Sequence, residues 1–186
     1  VLMPHLYSEV RKLAYIYHCE RHIMIILNHS TIERKIKRLA YQVLEQNYEA
    51  ERIFLLGINS KGMRFAELIH EELNNLSDKE LVLGNIVLSP ANPVNHPIKC
   101  TVQAKTMANE HVIIFDDVAN TGRTLFYACR PLFDAIPKKL ETGVLVDRRH
   151  KNFPIQVDYV GLSLATTIAN PITVIFQGIE SSPPLN

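Results

Sequence analysis

Two adjacent acids follow an apolar run and stand just before a threonine-rich turn. The run is residues 112–115, the acids are Asp116 and Asp117, and the turn, residues 120–124, is Asn-Thr-Gly-Arg-Thr. Such a run predicts a buried strand, and the glycine predicts a tight turn into a helix. The first N–H groups of a helix lack intrahelical partners and attract anions. The segment therefore predicts a phosphate site beside two carboxylates that could accept hydrogen bonds from sugar hydroxyls.

The parts of this segment also have ordinary interpretations. Acid pairs at strand ends often cap helices or face water, and a lone Thr-Gly-Arg-Thr is common. The whole arrangement over residues 112–124 is much less common, and it favours a functional site.

Apolar periodicity supplies the elements that must position these residues. Helices are predicted at residues 28–47, 63–73 and 122–135, and strands at 52–56, 81–88, 111–115, 143–146, 157–160 and 172–176. Strands that alternate with helices predict an α/β fold with a parallel sheet covered on both faces. Ligands of such sheets bind beyond the carboxyl ends of the strands. Three predicted loops lie there, at residues 57–62, 116–124 and 147–150.

Composition limits the class of protein. The 186 residues predict one main domain, and 47% hydrophobic and 21% charged residues are ordinary for a globular protein. The net charge of +1 gives no bulk field that would favour nucleic acid or a membrane surface. The longest apolar runs, such as residues 23–27, are too short to span a bilayer. Three cysteines without metal or disulfide spacing predict reduced thiols in the cytoplasm.

The chain ends predict little structure of their own. Residues 1–23 lack the apolar core of a signal peptide and are interpreted as an extension of doubtful origin before a plausible start at Met24. Residues 24–180 form the predicted domain, and residues 181–186 form a frayed tail.

Residues 112–124 resemble the signature with which type I phosphoribosyltransferases bind 5-phosphoribosyl 1-pyrophosphate (PRPP). Residues 144–150 (Val-Leu-Val-Asp-Arg-Arg-His) and 157–161 (Val-Asp-Tyr-Val-Gly) resemble one subgroup, the bifunctional pyrimidine operon attenuation regulator/uracil phosphoribosyltransferases. The resemblance covers residues 24–167. It implies the type I phosphoribosyltransferase fold with a small hood and a flexible loop, expected at residues 89–107.

The resemblance also implies roles for named residues. Asp116 and Asp117 would be catalytic and would hold the ribose hydroxyls. The 5-phosphate would be bound by Asn120, Thr121, Gly122, Arg123 and Thr124. The pyrophosphate would be bound by Asn59, Ser60, Lys61 and Gly62, and the base by Arg148, Tyr159 and Val160. Tyr159 could equally be strand core. Mg²⁺ would bind mainly through the substrate, with Asp116 and Asp117 as candidate ligands.

The implied function is transfer of the phosphoribosyl group of PRPP to a nucleobase, with uracil slightly favoured. The hypoxanthine-guanine enzymes usually have an aspartate at the position that Asn120 occupies here and a lysine at the position of Asp147. The regulator subgroup has an arginine-bearing loop after its second strand, whereas no arginine stands between Arg64 and Arg123 here. A PRPP- or nucleotide-sensing RNA-binding regulator of pyrimidine genes therefore stays an alternative, although net charge gives RNA no support. A fold without catalysis that binds a partner is a third hypothesis. The resemblance further implies at least a homodimer.

Overall fold

The computed structural model describes residues 15–18, 29–164 and 172–175. In these ranges the helices are α1 (His29–Gln46), α2 (Asn59–Leu76) and α3 (Arg123–Ala128), with 3-10 turns at Ala104–Met107 and Arg130–Leu132. The strands are β1 (Tyr15–His18), β2 (Arg52–Ile58), β3 (Glu80–Val87), β4 (Lys99–Cys100), β5 (His111–Ala119), β6 (Lys139–Arg148), β7 (Tyr159–Leu164) and β8 (Ile172–Ile175). No helix in these ranges is both long and apolar enough to cross a membrane.

Six strands form the central sheet in the order β4-β3-β2-β5-β6-β7. The five strands from β3 to β7 in this order are mutually parallel, and the short β4 pairs antiparallel with β3 at one edge. The predicted parallel sheet is confirmed, and β4 is an addition that the sequence did not predict. Because β5 lies in the middle, its carboxyl end is flanked by the ends of β2 and β6.

Apolar side chains cover both faces of the sheet, as predicted. On one face, α1 and α2 pack against β2, β5 and β7 through fully buried residues such as Leu39, Phe65 and Phe115. On the other face, α3 and the chain around Met107 pack against the alternate residues of β2 and β5. Side chains alternate across a strand, so one strand sequence serves both layers.

Several predicted boundaries were wrong in ways that bear on the site. Strand β5 continues through both acids to Ala119, so Asp116 and Asp117 are the sixth and seventh of its nine residues and do not lie beyond its tip. Strand β2 ends at Ile58 and α2 begins at Asn59, so the predicted loop 57–62 is a direct strand-to-helix junction. The predicted helix 122–135 is the short α3 followed by a 3-10 turn.

The segment predicted as a flexible loop, residues 89–107, is partly regular. Lys99–Cys100 forms β4, and the 3-10 turn Ala104–Met107 ends with a fully buried methionine. Burial of Met107 anchors the second half of the segment to the core, which leaves residues 88–98 as the irregular part.

Four residues of the predicted N-terminal extension belong to a strand. Tyr15–His18 forms β1, which pairs antiparallel with β8 in a separate two-stranded sheet. Val174 of β8 is fully buried in the core. The rest of residues 1–23 and the predicted tail 181–186 lie outside the described residues, so these boundaries remain predictions.

Candidate active site

The two acids of β5 form a connected pair at the carboxyl end of the sheet. Asp116 is 7% exposed, and its Oδ1 accepts a hydrogen bond of 2.9 Å from the backbone N–H of Asp117. The side-chain ammonium of Lys61 lies 3.9 Å from Oδ2 of Asp117. The geometry therefore brings together two residues predicted to act on the sugar and one predicted to meet pyrophosphate.

Burial sets the electrostatics of this pair. It raises the pKa of Asp116 well above the usual range of a carboxyl group, and the charge of Asp117 raises it further. Burial also raises the pKa of Asp117, while the positive charge of Lys61 opposes that rise. Two carboxylates that lose hydration gain stability from any ligand that brings hydroxyl donors or a cation. The pair is thus suited to a polyhydroxylated ligand that arrives with a metal ion.

The predicted phosphate turn connects β5 to α3. Gly122 is buried and has a φ of 81°, a left-handed conformation that glycine adopts without strain. A Cβ at this position would lie 2.5 Å from Cγ2 of Ile155. The side chains of Asn120, Thr121 and Arg123 are exposed. The backbone N–H of Arg123 lies 3.4 Å from the hydroxyl oxygen of Thr121.

The predicted pyrophosphate residues lie at the junction of β2 and α2. Gly62 brings α2 against β5, because a Cβ there would lie 2.6 Å from the carbonyl oxygen of Phe115. Asn59 has a φ of 51°, and its Oδ1 accepts a 3.0 Å hydrogen bond from the N–H of Leu88. The Asn59 side chain thereby fixes the point where the irregular segment leaves β3.

Two adjoining cavities occupy this edge of the sheet, with volumes of about 290 and 370 Å³. The first is lined by all five residues of the phosphate turn, and the second by Asn59, Ser60 and Lys61. They share the wall residues Pro90, Asp116, Val118, Asn120 and Thr124. The cleft is therefore continuous, with the phosphate turn at one end, the acids in the middle and the α2 junction at the other end.

Pro90 and Val118 contact both cavities and were not predicted as site residues. Val118 stands between the acids and the turn, so its position in the sequence could have indicated it. Pro90 comes from the irregular segment 88–98, whose approach to the cleft depends on tertiary packing that local patterns do not encode.

One predicted base-binding residue lies elsewhere. Tyr159 is fully buried, and its hydroxyl group donates a 3.0 Å hydrogen bond to Oε1 of Glu141 and accepts one of 2.9 Å from Nδ2 of Asn47. The ring is enclosed by the core and shows no exposed face, so the stacking role of Tyr159 stays a prediction. The alternative that it is strand core describes its position.

The other two predicted base residues are half-buried at the neighbouring strands. Arg148 is the last residue of β6. Val160 follows Tyr159 in β7, and its carbonyl oxygen accepts a 2.7 Å hydrogen bond from the Arg38 guanidinium. Neither residue lines the two cavities, so their contact with a base stays a prediction.

Tyr159 belongs to a buried polar cluster near the amino-terminal ends of the strands. Its other members are Asn47, Glu141 and His111, whose Nδ1 donates a 2.6 Å hydrogen bond to Oδ1 of Asn47. The other ring nitrogen of His111, Nε2, is buried without a hydrogen-bond partner. Protonation of Nε2 would place an N–H donor where no acceptor meets it, which is costly.

Acid conditions are expected to destabilise the fold through His111. Burial, and then the charges of Lys138 and Lys139, lower the pKa of His111 in the folded state. The unfolded chain therefore binds the proton first. This contribution is fully present above the unfolded pKa of about 6.5 and is lost below it, by at most about 1.4 kcal/mol per pH unit, down to the folded pKa.

Urea unfolding of the wild type and of His111→Asn, at about pH 7.5 and about pH 5.5, measures this contribution. The asparagine keeps an amide near the position of Nδ1 and removes the titration. The raised pKa values of Asp116 and Asp117 act in the opposite direction in both proteins, so the difference between them isolates His111. Equal pH dependence of the two free energies of unfolding would contradict the expectation.

A sequence model of the phosphoribosyl transferase domain matches residues 22–177. The chain belongs to the phosphoribosyltransferase family. The predicted family and the predicted pentosyltransferase enzyme are thereby confirmed.

Bacterial relatives of this phosphoribosyltransferase carry two names. The bifunctional protein PyrR of Macrococcus caseolyticus is 30% identical over 162 residues, which are 84% of this chain and 93% of the relative. The protein of the same name from Streptococcus pyogenes is 32% identical over 151 residues, 80% of this chain and 87% of the relative. The pyrimidine operon regulatory protein of Lactococcus lactis is 33% identical over 147 residues, 76% of this chain and 83% of the relative.

Solved structures confirm the type I phosphoribosyltransferase fold. The hypoxanthine phosphoribosyltransferase of Trypanosoma cruzi superposes with a TM-score of 0.64 at 20% identity, covering 75% of this chain and 80% of that one. A hypoxanthine-guanine phosphoribosyltransferase of Bacillus anthracis superposes with a TM-score of 0.62 at 20% identity and the same coverage. At this identity the likeness concerns the fold alone.

Proposed function

We propose that this phosphoribosyltransferase transfers the phosphoribosyl group of PRPP to uracil and releases pyrophosphate. The order of groups along the cleft carries the proposal. The phosphate turn, the acid pair and the α2 junction with Lys61 follow one another. PRPP presents a 5-phosphate, a ribose and a pyrophosphate in the same order.

The chemistry requires positioning more than proton transfer. A ring nitrogen of the base displaces pyrophosphate from C1 with inversion, through a transition state that resembles an oxocarbenium ion. Asp116 and Asp117 would accept hydrogen bonds from the two ribose hydroxyls and hold the sugar for attack. Their negative charge, together with the exclusion of water from the cleft, would stabilise the positive ring.

The donor atoms in the cleft fit Mg²⁺. Among the described residues, no group of three or more His, Cys, Asp or Glu side chains gathers to hold a metal. Asp116 and Asp117 offer oxygen ligands, which Mg²⁺ prefers, and the ion usually keeps several waters and substrate oxygens. Bound with the substrate, Mg²⁺ would supply positive charge to the leaving pyrophosphate. These two carboxylates are the protein ligands we propose for it.

Two residues support a pyrimidine base. Asn120 is an amide and cannot take a proton at neutral pH, unlike the aspartate usual there in purine enzymes. Asp147 stands at the end of β6, where a lysine is usual in those enzymes, and it pairs with the ammonium of Lys151. The name of the Lactococcus lactis relative, which refers to a pyrimidine operon, favours the same class of base.

A regulator that senses PRPP or a nucleotide and binds RNA is the second candidate. The relatives' names and the absence of an arginine between Arg64 and Arg123 favour it. Helix α1 argues against a free basic face, because the side chains of Lys35 and Arg38 donate hydrogen bonds to backbone carbonyls of β7.

We also propose that the phosphoribosyltransferase is cytoplasmic and forms a homodimer. Sedimentation equilibrium tests the dimer.

Incubation with PRPP, Mg²⁺ and a panel of bases is expected to yield uridine monophosphate with uracil. Purine bases are expected to give at least tenfold less product, since Asn120 cannot accept their proton. Direct detection of each nucleoside monophosphate by mass spectrometry measures the preference.

Titration with a pyrimidine-operon leader RNA at two salt concentrations separates the candidates. Binding that weakens steeply with salt, together with no product from any base, would favour the regulator. Formation of the hypoxanthine nucleotide as fast as the uracil nucleotide would contradict the proposed base.

A further inference from the structure

We propose that Lys151 is a positioning residue for the 5-phosphate, and that it acts by holding a strap, defined as residues 147–155, against the phosphate turn. The inference rests on the proposed function, because it assigns the turn to a sugar 5-phosphate. It assigns a role to Lys151, which does not line the cleft, and to the strap that orients the phosphate turn.

The strap fixes the direction of one peptide group in the turn. The carbonyl oxygen of Thr121 accepts hydrogen bonds from the N–H of Asn152 at 2.9 Å and from the N–H of Phe153 at 3.1 Å. In a trans peptide the carbonyl and the following N–H point in opposite directions. Two bonds that hold the Thr121 carbonyl toward the strap therefore turn the N–H of Gly122 away from it.

Gly122 lines the cavity, whereas no residue of the strap does. The N–H of Gly122 is thus directed to the side from which a phosphate would approach. Backbone N–H groups oriented in this way bind phosphate oxygens. The strap determines whether this donor is ready before the ligand arrives.

Lys151 ties the strap to the sheet. Its ammonium donates hydrogen bonds to Oδ1 of Asp147 and to the carbonyl oxygen of Arg148, at the end of β6. The Lys151 and Asp147 side chains are only 16% and 15% exposed. A lysine ammonium held inside loses hydration and side-chain entropy, so its position requires specific partners.

The stem of Lys151 also packs on the turn. A Cβ on Gly122 would lie 3.2 Å from Cδ of Lys151 and 2.5 Å from Cγ2 of Ile155. Asp147 pairs in register with Ala119, the last residue of β5. The ion pair between Lys151 and Asp147 therefore links the strap to the ends of β5 and β6.

This arrangement predicts a selective effect. Without the Lys151 ammonium the strap can move from the Thr121 carbonyl, and the Gly122 N–H loses its fixed direction. No residue of the strap lines the cavity at the α2 junction, where pyrophosphate is proposed to bind. Loss of Lys151 should weaken binding of a sugar 5-phosphate and leave binding of pyrophosphate unchanged.

Titration calorimetry of the wild type, Lys151→Met and Lys151→Arg tests the proposal, with ribose 5-phosphate and with Mg²⁺-pyrophosphate as probes. Lys151→Met is expected to raise the Kd of ribose 5-phosphate by roughly tenfold to a hundredfold, the scale of a misplaced positioning group. Its Kd for Mg²⁺-pyrophosphate should stay within about twofold of wild type, since no bond to that site changes. Lys151→Arg keeps a cation near Asp147 and should recover part of the loss.

Two further variants keep the test decisive. Lys138→Met removes an exposed lysine, 57% accessible and 4.0 Å from Glu49, and should change neither Kd. Asp147→Asn breaks the ion pair with minimal change of shape and replaces Lys151→Met if that variant fails to fold. It should weaken ribose 5-phosphate in the same selective way.

The outcomes distinguish this inference from the proposed function. A wild type that binds ribose 5-phosphate, with Lys151→Met unchanged or weakened equally for both probes, would overturn the positioning role alone. A wild type that does not bind ribose 5-phosphate would overturn the proposed function and this inference with it.

Discussion

Asp117→Asn is expected to lower turnover by roughly 10²–10³-fold, the scale of removing one preorganised electrostatic group. Asparagine has nearly the shape of aspartate but no charge, so it would no longer stabilise the positive sugar ring. It would also accept a hydrogen bond from a ribose hydroxyl less strongly. Initial rates of nucleotide formation at saturating PRPP, Mg²⁺ and uracil measure the loss.

The stability of this variant separates charge from folding. Burial raises the pKa of Asp117, which means that its ionised form is unfavourable in the folded state. The free energy of unfolding of Asp117→Asn should therefore equal or exceed that of the wild type. Asp134→Asn, at an exposed position, is the matched control and should keep full activity. A wild-type rate for Asp117→Asn would remove this carboxylate from the mechanism.

Gly57→Ala is expected to lower the free energy of unfolding by about 3 kcal/mol, the upper part of the range for overpacking. The new Cβ would lie 2.2 Å from Cα of Met63, 2.5 Å from its nitrogen and 2.7 Å from the carbonyl oxygen of Gly62. All three atoms belong to the backbone of α2, so the helix itself would have to move away from β2. Lys61 would move with it, away from Asp117.

Gly84→Ala is the control for this effect. Its Cβ would also make contacts below 3 Å, but with the side-chain atoms Cγ2 of Val102 and Cδ2 of Leu56. Side chains can rotate where a helix backbone cannot, so the loss should be clearly smaller. Urea unfolding of both variants gives the two free energies. Equal losses in the free energy of unfolding would contradict the expectation that contact with the α2 backbone makes Gly57→Ala the more destabilising change.

Most elements could be predicted from the sequence because apolar periodicity determines them. Ile32, Ile36 and Leu39 recur at helical spacing in the sequence of α1, and all three are buried. The end of β5 could not be predicted in the same way. Asp116 and Asp117 suggested a strand end, because charges are costly in a sheet interior. The strand continues through them because β6 pairs with it as far as Ala119.

Residues of the candidate site could be placed together from the sequence where one segment contains them, and could not where several segments meet. The acid pair and the phosphate turn lie on one stretch of chain, and they line the same cleft. The surroundings of Tyr159 could not be predicted, because its polar partners Asn47 and Glu141 are distant from it in sequence. Lys151 was missed for the same reason, since nothing local indicates that the strap bonds to the Thr121 carbonyl.

The central claim is that one cleft binds a sugar through Asp116 and Asp117 while the adjoining turn, residues 120–124, binds its 5-phosphate. A crystal structure of the protein with PRPP and Mg²⁺ tests it most directly. We expect the ribose hydroxyls within hydrogen-bonding distance of the two carboxylates, the 5-phosphate at the N–H of Gly122 and the pyrophosphate beside Lys61. PRPP bound outside this cleft, or bound here with its 5-phosphate away from the turn, would contradict the account.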